Sequence, residues 1–458
     1  MSYSFSSNIL TMLISLIAAL VIPKLISVDQ YGYYQLYIFY ANYVGVSFLG
    51  LCDGFYLRLG GKYYDDINKP VYCTQFWLLG LYEIVFFFCI FAGSRFLVTD
   101  ADKQYVIGCT CIAALAMCLT WFTTYILQAT ARIKEYAIVT VLERVLYVLA
   151  AVPLILAGYR GFRMLILVDV AAKYIAMLSG VYYCRNIVFA GSFKLREGLA
   201  EAKKNIAVGF QYMLALLCNM LIIGVVRFGI ERHWDITIFS KVSVTITVSN
   251  LILTAINAAA VVIYPMLRRT NEERLPQFYR IIRVLLGIAA FFVLVFYYPV
   301  QRILSVWLPQ YAESLRYAAI LFPICVYESK MSMLVNTYYK TLRLERLLMK
   351  CNMAALALSV VLTLLSTLIL NSVTAAIISI LVVLIIRCVL SEIILSTKLP
   401  IKVVKDIIIE LVMTLAFIIC NWYFGLLGMF MYAVCYAMYL VIKRKDILES
   451  LNFIKSMR

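Results

Sequence analysis

Charge is scarce in this sequence. Asp, Glu, Lys and Arg make up 14% of its 458 residues, against roughly 25% in soluble domains. Hydrophobic residues make up 64%, where a soluble domain carries about 45–50%. So few charges cannot coat a water-facing surface, so most of the molecule must face lipid. Histidine is nearly absent, with His233 the single copy. The 13 cysteines form no CxxC pair, and the tightest spacing is Cys109-x-Cys111. Most lie in apolar runs, where they read as small packing residues. A His/Cys metal site is therefore not expected, nor any other cofactor. No GxxxxGK[ST] loop occurs, which leaves out an ATP-driven domain. No TVGYG-type filter occurs either, and no polar segment is long enough for a catalytic domain. The chain reads as a non-enzyme. Its energy must come from an ion gradient, the membrane potential or the substrate's own gradient.

What is present is a series of apolar runs long enough to cross hydrocarbon, which takes about 20 residues each. They fall at 6–27, 36–58, 73–97, 105–128, 137–158, 163–184, 206–228, 237–263, 283–304, 315–338, 352–370, 372–395, 407–424 and 426–442. Two turns among the last four, Asn371-Ser372 and Gly425, are very short, so twelve spans is the alternative count. Met1–Ser7 holds no Lys or Arg, so the first run reads as a retained helix rather than a cleaved leader. The net charge of +17 would suggest nucleic acid in a soluble protein. Here the cations sit in short loops, where they set topology. With the N-terminus inside, 27 of the 41 Lys and Arg residues fall on the cytoplasmic side and 7 on the outer side. Both termini are therefore expected in the cytoplasm, and no nucleic-acid partner is expected.

The two halves resemble each other, as in many transporter folds. Lys24 precedes Tyr31 by the same interval that separates Arg227 from Trp234, and Thr130-x-Arg132 recurs as Thr341-x-Arg343. The expected fold class is an all-α polytopic membrane protein of about fourteen helices, with two pseudo-symmetric six-helix lobes and two appended C-terminal helices. The expected divisions are an N-lobe at 1–190, a cytoplasmic linker at 191–205, a C-lobe at 206–397, and spans 13–14 with the tail at 398–458. Within the linker, Phe193, Leu195, Leu199 and Ala202 are compatible with a short interfacial helix, and a solvated linker is the alternative.

Ionisable residues at membrane depth cost about 2.5–3.5 kcal/mol on insertion scales and usually face a cavity or a partner. Asp169 and Lys173 are four apart on one helix face and read as an ion pair. Glu328 and Lys330 are two apart and point to different faces. Glu143 and Arg144 lie toward the cytoplasmic side, and Arg316 and Glu410 are near enough to span ends to snorkel. Glu83, Glu392, Arg387 and the acid Asp53 complete the set, and Asp53, Asp169, Lys173 and Glu328 are the candidate structural or coupling charges. Lys24, Arg58, Arg227, Lys241 and Lys330 come from both halves, with no matching set of acids evident. They suit an anionic substrate group, with phosphate or pyrophosphate the natural candidate. Prolines 23, 153, 265 and 323 lie in or near spans, where they can kink helices.

The segment from Pro23 to Tyr34, PKLISVDQYGYY, resembles the span 1–2 junction of bacterial polysaccharide exporters. So do Lys204–Phe210 at the entry to span 7, Arg227-Phe228, and the basic stretch Lys340–Arg346. These exporters are the O-antigen and capsule repeat-unit flippases of the multidrug/oligosaccharidyl-lipid/polysaccharide flippase superfamily. The resemblance implies two six-helix lobes in the bacterial cell membrane. It implies alternating access for a polyprenyl-pyrophosphate-linked oligosaccharide, with membrane lipids and other polysaccharide-assembly membrane proteins as partners. It points to Lys24, Arg58, Arg227 and Lys241 as the residues meeting pyrophosphate. An acidic residue often accompanies the span 7 arginine in that family, and Val226 stands here. Two other readings compete. A multidrug or small-solute antiporter should have a more acidic cavity. An integral-membrane glycan polymerase or ligase needs a long outer loop, and the longest here is roughly 302–314.

Overall fold

The computed structural model describes residues 16, 18–250, 253, 275–399 and 401–456. Most of span 1, the second half of span 8, and the stretch with Pro265, Arg268, Arg269 and Arg274 lie outside the described residues. Among the described residues every regular element is helical. Ten helices among the described residues are long and apolar enough to cross a membrane, or eleven with one bent pair counted as a span. The all-α, polytopic membrane class is thus the observed one.

The first helices are α1 (Val28–Ala41), α2 (Leu51–Leu59), α3 (Lys69–Leu97), α4 (Ala101–Ala129), α5 (Ile133–Leu156), α6 (Phe162–Tyr183) and α7 (Leu195–His233). Helical residues 236–250 follow. Then come α8 (Leu275–Val295), α9 (Tyr297–Trp307), α10 (Ser314–Thr341), α11 (Arg346–Ile369), α12 (Val373–Lys398), α13 (Val404–Tyr423) and α14 (Gly425–Ile442). The four C-terminal runs form separate helices, and three of them, α11, α12 and α14, are long and apolar enough to cross a membrane. Asn371 turns the chain at φ +42°, and Ser372 caps α12 by accepting from the Ala375 amide at 3.3 Å. Gly425 makes the other turn at φ +52°, a conformation that costs glycine little.

Span 2 is broken. The segments Val28–Val46 and Leu51–Leu59 meet at 59°. The break is made by a 3₁₀ turn at Val44–Val46 and by positive φ at Leu49 and Gly50. Gly50 is needed there, because an added Cβ would come within 2.6 Å of the α7 backbone at Gly209 and Phe210.

The chain forms two compact units, 1–217 and 218–458. In the first, α4 packs against α3, α6, α1 and α2. Its sequence explains why: Ala113, Ala114, Ala116, Cys118 and Thr123 are small and buried, which lets helices approach closely in lipid. In the second unit α10 is the central helix, with 89% of its most apolar window buried against 17% for α14. The expected boundary at 205/206 falls inside α7, which runs unbroken from Leu195. The reason is local: residues 195–205 are rich in Leu, Glu, Ala and Lys, all good helix formers, and contain no proline.

The two helix ends matched in the sequence repeat close alike, one residue out of the expected register. Helix α4 closes with Ala131 at φ +59° and an Arg132 amide bond to the Leu127 carbonyl at 2.8 Å. Helix α10 closes with Arg343 at φ +55° and a Leu344 amide bond to the Tyr339 carbonyl at 2.8 Å. These are the same Schellman turn, and they match Ala131 with Arg343, not Thr130-x-Arg132 with Thr341-x-Arg343. The other pairing is out of register. Lys24 sits beside the last residue of its helix, which ends at 25, whereas Arg227 lies well inside α7.

Candidate functional site

In the first unit, Arg58 occupies the last turn of α2. Its guanidinium pairs with Glu201 at 2.7 Å and donates to the Asn205 side-chain oxygen. Asn205 is fully buried and donates onward to Gln75 Oε1 at 3.2 Å. Lys204 approaches the same Glu201 at 3.6 Å. A cavity of about 400 Å³ adjoins this group, lined by Leu59, Lys62, Asp66, Tyr72, Glu201 and Lys204 among others. Its lining mixes lysines and carboxylates. Lys24 is exposed near the end of its helix.

Asp169 and Lys173 form the expected pair at 2.6 Å. Two further groups join it. Glu143 reaches Lys173 at 3.1 Å, and the Tyr37 hydroxyl donates to Asp169 at 2.7 Å. The cluster ties α1, α5 and α6 together. Asp53 is buried on α2, with the Tyr125 hydroxyl beside it.

In the second unit, Arg227 donates to the Ser243 hydroxyl at 3.0 Å, and its guanidinium lies over the Phe239 ring at 5.2 Å. A guanidinium held on an aromatic face beside a hydroxyl is a fitting donor pair for a phosphoryl oxygen. Lys241 meets Glu313 at 3.3 Å, and Glu313 is largely exposed.

Lys330 does not line an open surface. It is buried, with its ammonium 2.6 Å from Glu392 and 2.5 Å from Glu410. Arg283 completes the group at 2.5 Å from Glu392, 2.5 Å from Asp406 and 3.1 Å from Glu410. The Tyr279 hydroxyl donates to Glu392 at 2.8 Å, and Lys443 bridges Asp406 at 2.5 Å. This network joins α8, α10, α12 and α13 and the end of α14. Glu328, as expected from its different face, turns to Arg387 at 2.9 Å, which also donates to Asn352 at 3.0 Å.

Several readings from sequence change here. Acids do accompany Arg58, Lys241 and Lys330, but they come from distant segments. Glu410 does not snorkel, since it lies with Arg283, the first residue of the expected span 283–304, in the buried network. One sequence signal pointed to it. Glu392 and Glu410 lie in apolar runs with no cation within four residues, so each needed a partner from another helix.

No family model matches the chain, and no curated protein matches it in sequence. Among solved structures, it is similar to "Lipid II flippase MurJ, inward closed conformation", with a TM-score of 0.70 at 10% identity over 97% of this chain and 98% of that one. It is also similar to the eukaryotic MATE transporter AtDTX14, with a TM-score of 0.43 at 13% identity over 86% of this chain and 92% of that one. The first likeness shows a shared fold along nearly the whole of both chains.

Proposed function

We propose that this chain is a flippase that carries a polyprenyl-pyrophosphate-linked oligosaccharide repeat unit across the cytoplasmic membrane by alternating access. The observation that carries this reading is the fold held in common, end to end, with a protein named for flipping lipid II. A fold alone does not choose a cargo, so the site chemistry matters. Arg227, Ser243 and Phe239 supply the charge, hydroxyl and flat support that a pyrophosphate oxygen requires. Arg58, Lys241 and Lys24 are the further candidates for contact with it, and Lys330 serves the buried network instead. The excess of cations in one set of loops supports a cytoplasmic location for both termini. Membrane lipids and other glycan-assembly proteins are the expected neighbours.

The test is mass spectrometry of polyprenyl-linked glycans in cells with and without the gene, paired with a leaflet assay. Deletion should trap a complete lipid-linked unit on the cytoplasmic leaflet. An unchanged pool, in cells shown to have no redundant exporter, overturns the proposal and favours the small-solute antiporter.

A site-level prediction accompanies it. Arg227→Gln removes a charge-assisted donor, a loss of about 1.5–3 kcal/mol, so transport should fall roughly tenfold or more at equal expression. Full transport by this variant would remove Arg227 from the substrate site.

A further inference from the structure

The first unit contains a buried carboxyl that the ion pairs do not explain. Glu83 lies on α3 and is completely buried. Its Oε1 accepts from the Ser47 hydroxyl at 2.8 Å, and its Oε2 has no hydrogen-bond partner among the described residues. No Lys, Arg or His pairs with it among the described residues. Several other buried carboxyls have cations beside them, while Asp53 has the Tyr125 hydroxyl. Asp169 has Lys173, and Glu392 and Glu410 have Arg283 and Lys330.

The location is specific as well. Ser47 belongs to the break in span 2, between the turn at Val44–Val46 and the positive-φ residues Leu49 and Gly50. Its hydroxyl is also 2.8 Å from the Val44 carbonyl. The titratable groups facing Glu83 are the Cys118 thiol of α4, the Cys52 thiol of α2 and the Tyr82 hydroxyl of α3 itself. None of these brings a positive charge. The Cys118 sulfur, 3.5 Å from Ser47 Oγ, is a poor ligand for a hard cation.

We propose that Glu83, held by Ser47 at the break in span 2, is a proton-binding site through which proton movement is coupled to the conformational cycle. The closed site holds the neutral acid, since an ionised carboxylate buried without a counter-charge is costly. A proton from water adds to Oε2 and forms one O–H bond. Its release leaves a carboxylate that must be hydrated, so release requires this part of the unit to open to water. The carboxylate draws the Ser47 hydroxyl more strongly than the acid does, and the balance between Glu83 and the Val44 carbonyl then changes at the break. The transport part of this inference rests on the chain being a transporter, while the proton-binding part does not.

The first measurement is therefore independent of cargo. Infrared difference spectra of the purified full-length chain, taken between acidic and alkaline pH, should show the carbonyl stretch of a buried protonated carboxyl. Glu83→Gln should remove one component of that band, and Asp53→Asn should leave that component in place. Ser47→Ala, which keeps the acid but removes its donor, should shift that component, and it is the control if Glu83→Gln folds poorly. Absence of that component, or its suppression by sodium at constant pH, overturns the proton site, the latter in favour of a cation site. In cells, Glu83→Gln should lower glycan-lipid translocation at least tenfold at equal expression. Unchanged translocation with that component lost overturns the coupling role. If deletion of the whole gene leaves lipid-linked glycans unchanged, the flippase reading fails and the infrared result stands.

Discussion

Replacing Lys330 by methionine will lower the stability of the second unit by about 3–5 kcal/mol, the usual cost of removing one partner from a buried ion pair. Lys330 lies between Glu392 and Glu410, and among the described residues Arg283 and Lys443 would then be left to balance those acids and Asp406. The surplus negative charge has no route to water at Glu392, which is fully buried. Adding Glu410→Gln to Lys330→Met restores the count, so the double variant should be more stable than the single. That sign is the discriminating result, because two independent lesions would add. Thermal unfolding in detergent or nanodiscs, read on all three variants, measures it. A single variant as stable as the parent would remove the network from the architecture. The reason to expect a large effect is topological. Glu392, Asp406 and Glu410, together with Lys443, help tie α13 and α14 to α8, α10 and α12, alongside the Tyr327–Thr414 and Tyr436–Ile288 hydrogen bonds, and the outer faces of α13 and α14 are exposed and apolar. In lipid such faces contribute little to helix association, which leaves polar contacts and close packing to hold the pair.

The second large effect is steric. Helix α7 crosses α2 backbone to backbone. A Cβ built on Gly54 would collide with the Asn205 carbonyl, and one on Gly209 with the Gly50 carbonyl. Neither obstacle is a side chain that can swing away. Gly54→Leu and Gly209→Leu should each cost more than the roughly 1–3 kcal/mol typical of overpacking, because two helix backbones must separate. The same separation would pull Asn205 and Glu201 from Arg58, so the adjoining cavity would be lost along with stability. Gly93→Ala is the control, since a Cβ there meets nothing within 4 Å, and it should behave as the parent. Folded yield by size-exclusion chromatography and thermal midpoint read both outcomes. Parent-like behaviour of Gly54→Leu would mean that α2 and α7 do not cross this closely.

Much of this protein follows from sequence alone. Hydrophobicity without charge dictates lipid as the solvent. Runs of about 20 apolar residues then dictate helices, because every backbone amide must be satisfied within its own segment. Hence the spans at 73–97, 105–128 and 163–184 are close to the observed α3, α4 and α6. The Asp169–Lys173 pair was legible for the same reason, since its spacing lies within one helix. Groups on different helices were not. The sequence carries no distance between Arg283 and Glu392, or between Arg58 and Glu201, so a loop cation and a buried counter-ion look alike in it. It is equally silent on the break in span 2, where an apolar run through Gly45, Gly50 and Gly54 reads as one helix. Only the tertiary structure decides which carboxyls are paired and which, like Glu83, have no cation beside them among the described residues. Pairing depends on which helix faces meet, and that is set by packing across the whole unit rather than by any local pattern.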